Sequence, residues 1–594
     1  MASRSGTFVL HLLAALLVQV SCAASAADPA KILRVATNDI DTLDPQQWQD
    51  RYSQEIGMSI FESLYEWDYL ARPPGIVPDI AAAAPEVSAD GKTWTVRLKP
   101  GIHFTDDPAF RGKPRELVAA DYVYALKRDL DPNLRSGGDA MVTDLFVGMR
   151  PVVDAASKPG AKFNYDAPVE GVRALDRYTL QFRLAEPNFP LMTVTLANTR
   201  AVAREVVEAA GGDIQTRAVG TGPYRLKEWK RGTKIVLEAN PAYRAVTFPD
   251  SADPAHAATV REMQGKRLPQ VGRIEFSVIE ENQTRLLEFE RGGLDFIELK
   301  GDGAMRMLKN GELDPALAKR GIRRQPYPLN SVRSVSFNME DPVVGGFDKA
   351  QIALRRAIAL GFDVDAFINV VYGGQSLPAM QILPPGVSGF DPERVGKSRY
   401  DPATANKLLD AVGYGKRDKE GFRLAPDGKP LVLTMITFTG TVWREMQTLW
   451  KKNMDAIGVR MVFRSVPTQD LFKETAQGKY QLSVHGRSST PTGLGLTTLY
   501  GKLPPEANDA RFRFDAYDRA LGQYMLAGTD AERMAAARVM HDIVAVYVPM
   551  LPLVVDVENA FVQPWVSGYL RSPFATYYKY VDIDLARKRE AGAR

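Results

Sequence analysis

The chain has 594 residues, 45% of them hydrophobic and 25% charged, with a formal net charge of +4. At roughly 150 residues per domain it is too long for one core, and its composition is that of a folded, water-soluble protein. So small a net charge on a mixed surface gives no ground for nucleic-acid or lipid binding.

Arg4, an apolar run from Phe8 to Val20 and the small residues Ala24-Ser25-Ala26 follow the order of a secretory signal peptide. The run is short for a bilayer span of about 20 residues. Cleavage after Ala26 or Ala27 is expected, so residues 1–26 are assigned to the signal peptide. The only cysteine, Cys22, lies inside that segment. Lipidation at Cys22 is disfavoured, because Gln19 stands where such sites carry an aliphatic residue. An exported chain without cysteine has no disulfide or thiolate site, and a fold this large needs none.

Lys31–Ala36 reads as a strand, Asp41-Thr42-Leu43-Asp44-Pro45 as a turn, and Tyr52–Tyr65 as a helix with Ile56, Ile60, Phe61 and Leu64 on one face. Thr93–Leu98 alternates as a strand. Ala119–Arg128 is a helix with Asp121 near its start and Lys127-Arg128 near its end, which suits the helix dipole. Residues 169–184 form a hairpin. Gly220-Thr221-Gly222-Pro223-Tyr224 is turn chemistry leading into alternating Tyr224 and Leu226; Arg231-Gly232-Thr233 turns the chain into Ile235-Val236-Leu237, and Asn240-Pro241 ends the unit. Ile274–Phe276, Gln283–Glu290 and 293–297 make a short βαβ unit.

Further on, Phe337-Asn338-Met339 ends a strand, and Ile352–Phe362 is a helix. Leu431–Met435, Gly458–Phe463, Tyr480–Val484 and Pro549–Asp556 are strands; Trp443–Ile457 and Met534–Tyr547 are helices. Trp443 and Trp450, seven apart on one face, are assigned to core. The alternation argues for a largely parallel α/β sheet.

The wording GTGPYRLKEWKRGTKIVLEANPAYR, the block from Ala84-Pro85-Glu86-Val87-Ser88 through Arg128, the 169–184 hairpin and the closing Val562-Gln563-Pro564-Trp565-Val566-Ser567-Gly568-Tyr569 resemble, in order, the large solute-binding proteins of bacterial ABC importers, the oligopeptide, dipeptide and nickel type. The resemblance spans nearly the whole chain after the signal peptide. One departure is Asp107-Pro108 with a few extra residues, where the family has Asp-Gly. The resemblance implies the type II periplasmic-binding-protein fold: α/β, two-lobed, with a two-strand hinge and a discontinuous first lobe. That lobe would comprise 27–299 plus 554–594, with a subdomain near 60–170, and the second lobe 300–553. It implies a periplasmic monomer that takes oligopeptides into the inter-lobe cleft and delivers them to a permease in the inner membrane.

The resemblance also points to ligand contacts. Tyr52 and Ser53 border the ligand from the first lobe. From the second come Asn338 and the loop His485-Gly486-Arg487-Ser488-Ser489-Thr490. Peptide-binding relatives hold the amino terminus with an aspartate in that loop; here it has no carboxylate. Either Arg487 meets an anionic or amino-blocked ligand, such as a modified peptide, opine or sugar acid, or it is structural and another acid supplies the contact. The residues themselves show no chemistry of catalysis. His11, His103, His256, His485 and His541 have no metal-ligand spacing, and no serine-nucleophile frame is present. No cofactor or metal is expected, and a secreted hydrolase or a chaperone-like protein is a distant alternative.

Overall fold

The computed structural model describes residues 27–72, 74–134, 140–394, 399–572, 574 and 577–593. The expected signal peptide, Cys22 included, lies outside them.

One eleven-stranded sheet runs through the molecule. Its main strands are β1 (Asp28–Thr37), β2 (Tyr224–Lys230), β3 (Lys234–Ala239), β4 (Val271–Val278), β5 (Phe296–Leu299), β6 (Arg323–Phe337), β7 (Val432–Phe438), β8 (Arg460–Val466), β9 (Leu482–Ser488) and β10 (Met550–Val562). They lie in the order β8-β7-β9-β6-β10-β5-β1-β4-β3-β2, with Ser376–Pro378 added on β10. The strand sequences explain their places. β4 alternates, with Ile274 and Phe276 buried between half-buried Arg273 and Glu275. β10 is apolar on both faces from Met550 to Val555 and buried along its length except at Asp556 and Val557.

The sheet is mixed rather than largely parallel. β1 is parallel to β4 and β5, and β7 is parallel to β8 and β9. The β2–β3 hairpin and the long strands β6 and β10 run antiparallel to their neighbours. Hairpins and strands that return across the molecule impose this direction, whereas only helical crossovers give parallel pairs.

Seven helices matter here: α1 (Arg51–Gly57), α2 (Ala119–Asp129), α3 (Phe189–Asn198), α4 (Asn282–Glu290), α5 (Lys349–Gly361), α6 (Thr441–Ala456) and α7 (Asp530–Tyr547). The two ends of the sheet carry separate cores. At one end Leu33, Val35, Ile60, Tyr224, Ile235 and Phe276 pack together. At the other, Val335, Phe337, Leu354, Ile358, Leu433 and Trp450 cover one face, and Leu496, Phe512, Tyr517, Tyr524 and Met540 form a second cluster. Trp450 is fully buried and stacks on Phe362 at 4.1 Å, while half-buried Trp443 leans on Phe438 at 4.8 Å. Residues 304–322, placed in the second lobe by the sequence reading, contribute Ala304, Met307 and Ile322 to a cluster with Leu286, Phe289 and Phe561.

The helix expected over Tyr52–Tyr65 stops at Gly57. The carbonyls of Ser59 and Ile60 are taken by the amides of Tyr224 (3.0 Å) and Gly222 (2.8 Å), which draws the chain out of the helix. This is also why the 220–224 turn carries glycines. A Cβ on Gly220 would stand 2.0 Å from the Ile60 carbonyl oxygen, and one on Gly222 would stand 2.7 Å from it. Glu62 locks the same junction: it accepts from Thr221 Oγ1 at 2.8 Å and from Arg244 at 2.6 Å. Asn240 Nδ2 donates to the Gly222 carbonyl at 2.9 Å. Arg128 is not turned to the α2 dipole. It grips Asp44 at 2.8 and 3.0 Å, with both side chains at most 1% exposed, and so ties the early turn to α2.

Gly220→Ala should destabilise the protein by about 3 kcal/mol, since the contact is with main chain that cannot rotate away; an unchanged urea midpoint would refute it. Burial, with Asp79 adding to it, raises Glu62 from an ordinary 4.5 to about 7 against the pull of Arg244. A raised folded value stabilises fully below pH 4.5, and that contribution is lost as pH rises through about 7. Glu62→Gln should therefore gain stability relative to the native chain between those limits, as read from denaturation curves at several pH values. A pH-independent difference would count against it.

Candidate functional site

Between the two cores, among the described residues, only β6 and β10 carry the sheet across. They pair from Arg323↔Val562 to Pro328↔Val557 and again from Val332↔Val555 to Ser336↔Met550, with an irregularity at 329–331 opposite Asp556. Over the crossing, 328–331 and 556–557 are half-buried, whereas the flanking residues of β10 are buried. Pro326 and Pro328 lie in the first segment, where β6 has β10 as its strand partner and β9 has not yet joined. The halves also meet sideways: Thr492 Oγ1 donates to the Pro190 carbonyl at 3.2 Å, and a cavity of about 190 Å³ takes its walls from Trp67, Phe189 and Thr193 on one side and Ser388, Pro491 and Arg533 on the other.

Next to the crossing, β6 and β9 present polar side chains on the face opposite Val335, Phe337, Leu482 and Val484, following the period of two. Buried His485 and Ser336 Oγ meet at 2.9 Å. Burial, reinforced by Arg487, lowers the His485 imidazole below its usual value despite Asp509, and so keeps it neutral near pH 7. Arg487 is half-exposed and forks onto Asp509 through Nε and Nη2. Thr498 Oγ1 donates to the same carboxylate at 3.1 Å. Burial pushes Asp509 up, but His485, Arg487 and Thr498 outweigh it and hold the carboxylate below its ordinary range.

The stretch expected to be a loop is thus strand as far as Ser488, which pairs with Ser331. Ser488 is exposed. Ser489 is buried and exchanges hydrogen bonds with Asn330: its amide donates to the Asn330 carbonyl at 2.7 Å, and its carbonyl accepts from Asn330 Nδ2 at 3.2 Å. Thr490 Oγ1 lies 3.0 Å from Thr492 Oγ1 and accepts from the Leu494 amide at 3.2 Å. Asn338 sits apart from this group. It is buried, donates to the carbonyls of Gly478 and Tyr480, and accepts from the Glu340 amide.

On the other side, Asp50 caps α1 by accepting from the Ser53 amide at 2.8 Å and from Ser53 Oγ, so Ser53 is fully buried in local hydrogen bonds. Tyr52 is half-buried and lines a cavity of about 30 Å³, room for about one water. That cavity borders a charged cluster absent from the sequence reading. Arg51 pairs with Glu55 at 2.7 Å, with Glu558 of β10 at 2.8 Å, and with Glu298 of β5. Arg571 pairs with Glu55 at 2.7 Å and Glu298 at 3.0 Å. Tyr327 of β6 donates to Glu558, and Tyr569 to Glu298 at 2.8 Å. Burial, aided by Glu55 and Glu558, raises Glu298 above its ordinary value despite the two arginines, while the arginines hold Glu55 and Glu558 below theirs against burial. Three carboxylates against two guanidiniums leave one negative charge in excess. No sequence pattern signals this cluster, because Arg51 and Glu55, Glu298, and Glu558 with Arg571 come from three stretches of chain hundreds of residues apart.

Arg571→Met removes a fully enclosed cation and leaves Glu55 and Glu298 short of a partner. A loss of about 3–5 kcal/mol is expected by chemical denaturation. A change under 1 kcal/mol would show that the cluster is not held by its charges.

The model of the family described as bacterial extracellular solute-binding proteins, family 5 Middle, matches residues 75–501. The chain is 23% identical to di/tripeptide-binding protein 2 of Pseudomonas aeruginosa, over 87% of this chain and 90% of that one. It is 25% identical to the periplasmic oligopeptide-binding protein OppA of Escherichia coli, over 93% and 92%. The structure of NikA from Brucella suis in complex with Fe(III)-EDTA superposes with a TM-score of 0.70 at 18% identity, covering 94% of this chain and all of that one. The protein is a family 5 bacterial extracellular solute-binding protein, with the two-lobed α/β fold of that family.

Proposed function

We propose that the protein is the periplasmic receptor of an ABC importer and takes peptides, or ligands derived from them, between its lobes. The carrying observation is the crossing itself: two antiparallel strands join separately packed halves, and the half-buried stretch of both falls at 328–331 and 556–557. Such a joint bends without breaking either core, and a ligand touching both halves favours the closed arrangement. We place the lobe boundary there, so residues 304–322 belong to the first lobe. Tyr52 on one side and Arg487, Ser488 and Thr490 on the other are the proposed contacts. Ser53 and Ser489 hold the local backbone beside them, His485 is held by Ser336, and Asn338 lies apart. No helix among the described residues is long and apolar enough to cross a membrane. In this reading the protein is an exported monomer that hands its cargo to membrane-bound permease subunits without chemical change.

One observation favours a narrower reading of the ligand. The carboxylate nearest the 485–490 strand end is Asp509, and Arg487 and Thr498 already occupy it. It is not free to receive an ammonium, so the amino terminus is not what this end of the cleft reads.

The mature protein, mixed with a defined peptide pool and analysed by mass spectrometry, should return every peptide intact. It should gain about 2.7 kcal/mol of stability at a hundredfold excess over Kd. Peptide fragments in the pool would sink the receptor reading. A tripeptide and its N-acetyl form should bind within a few-fold of each other, and Arg487→Met, which frees Asp509, should strengthen the free-amino form alone. Loss of binding on acetylation of the ligand would show instead that the amine is read.

A further inference from the structure

Besides the crossing, the halves touch through side chains that leave their own lobe. Leu494 opens a short helical turn of the second lobe, Leu494–Leu499. Leu496 and Leu499 of that turn are fully buried in the second-lobe cluster with Tyr517 and Tyr524. Leu494 turns the other way and packs, half-buried, against the first-lobe core. Phe574 does the converse. It lines a first-lobe cavity with Met58 and Phe61, and packs, half-buried, on the second-lobe cluster. Thr492 adds its hydrogen bond to the Pro190 carbonyl.

The segment that carries Leu494 is pinned to its own lobe. The hydroxyl of buried Tyr524 lies 2.9 Å from the Ser388 carbonyl and 2.8 Å from the Thr492 carbonyl. The Ser388 amide donates to the Pro491 carbonyl at 2.8 Å, and the Gly495 amide to Ser489 Oγ at 3.1 Å. A Cβ on Gly493 would stand 2.1 Å from the Tyr524 hydroxyl, so the turn is as tight as glycine allows. A leucine held this way faces the other lobe already placed, and little freedom is lost when the two meet.

We propose that Leu494, Thr492 and Phe574 form a latch that stabilises the closed arrangement and so sets ligand affinity without touching the ligand. Opening the lobes returns both apolar side chains to water. The gain is the same for every ligand, because apparent Kd falls as the closed fraction of the free protein rises. The latch therefore tightens binding in general and leaves the choice among ligands to the cleft. It rests on the reading that the lobes close on a ligand. Its test needs no ligand, so its failure leaves the peptide-pool result standing.

Distances between nitroxide labels test it. From residue 27 on the chain has no cysteine, so Ala185→Cys and Ala531→Cys, both exposed and on opposite lobes, carry the labels alone. The ligand-free protein should show a short-distance population beside a longer one. Leu494→Asp should cut the short population by about fivefold or more, and Phe574→Ala should do the same from the other side. A residue that served only its own lobe's packing would instead lower the urea midpoint and leave the distances unchanged. A ligand-free protein with no short-distance population, or an undiminished one in either variant, would overturn the proposal.

Discussion

The pairing of β6 with β10 is the constraint on which the rest depends. The sheet passes from one half to the other through these strands, and their ladder is joined in holding the halves by the sideways contact of Thr492 with Pro190. A ladder of this kind resists sliding and stretching but tolerates twist, most of all where it lacks a residue-for-residue match. The β6–β10 ladder is interrupted at 329–331 and shifts again between Arg333 and Ser334, and the cores on either side pack as separate clusters.

Charge placement follows from the same geometry. The network of Arg51, Arg571, Glu55, Glu298 and Glu558 reaches the joint through Glu558 on β10 and Tyr327 on β6. It anchors the first-lobe ends of both crossing strands to α1 and to the C-terminal segment. Because its members are enclosed, their mutual attraction is weakly screened, and breaking the set costs more than forming it contributes. Across the joint the Arg487–Asp509 pair is smaller, with the arginine half-exposed and the carboxylate largely enclosed.

Much of the architecture was legible in the sequence because its signals are local. Alternation located β2, a β-branched run located β3, and spacing located α2, α6 and α7. The GTGPY turn and the Asn240–Arg244 stretch were recognisable as motifs, but their reason was not: they converge on Glu62 and on two carbonyls of residues 59 and 60. That convergence also explains the overlong helix expected after Tyr52, since apolar spacing continues to Leu64 while the hydrogen bonds go elsewhere. The candidate site was legible only as a stretch. Nothing near Arg487 in the chain announces Asp509, 22 residues on, and the same holds for Arg51 and Glu558, 507 residues apart. Side-chain pairing over such separations is decided by packing, which periodicity does not encode.

The prolines at 326 and 328 carry a consequence beyond the bend. A proline is tolerated in a ladder only where no amide is wanted, so both leave the outer rim of β6 without donors along that segment. A foreign strand laid against this rim finds carbonyls and nothing to answer its own. Neighbouring copies are thereby kept from zipping rim to rim at the spot where the sheet is narrowest, so the junction between the halves does not become a seed for aggregation.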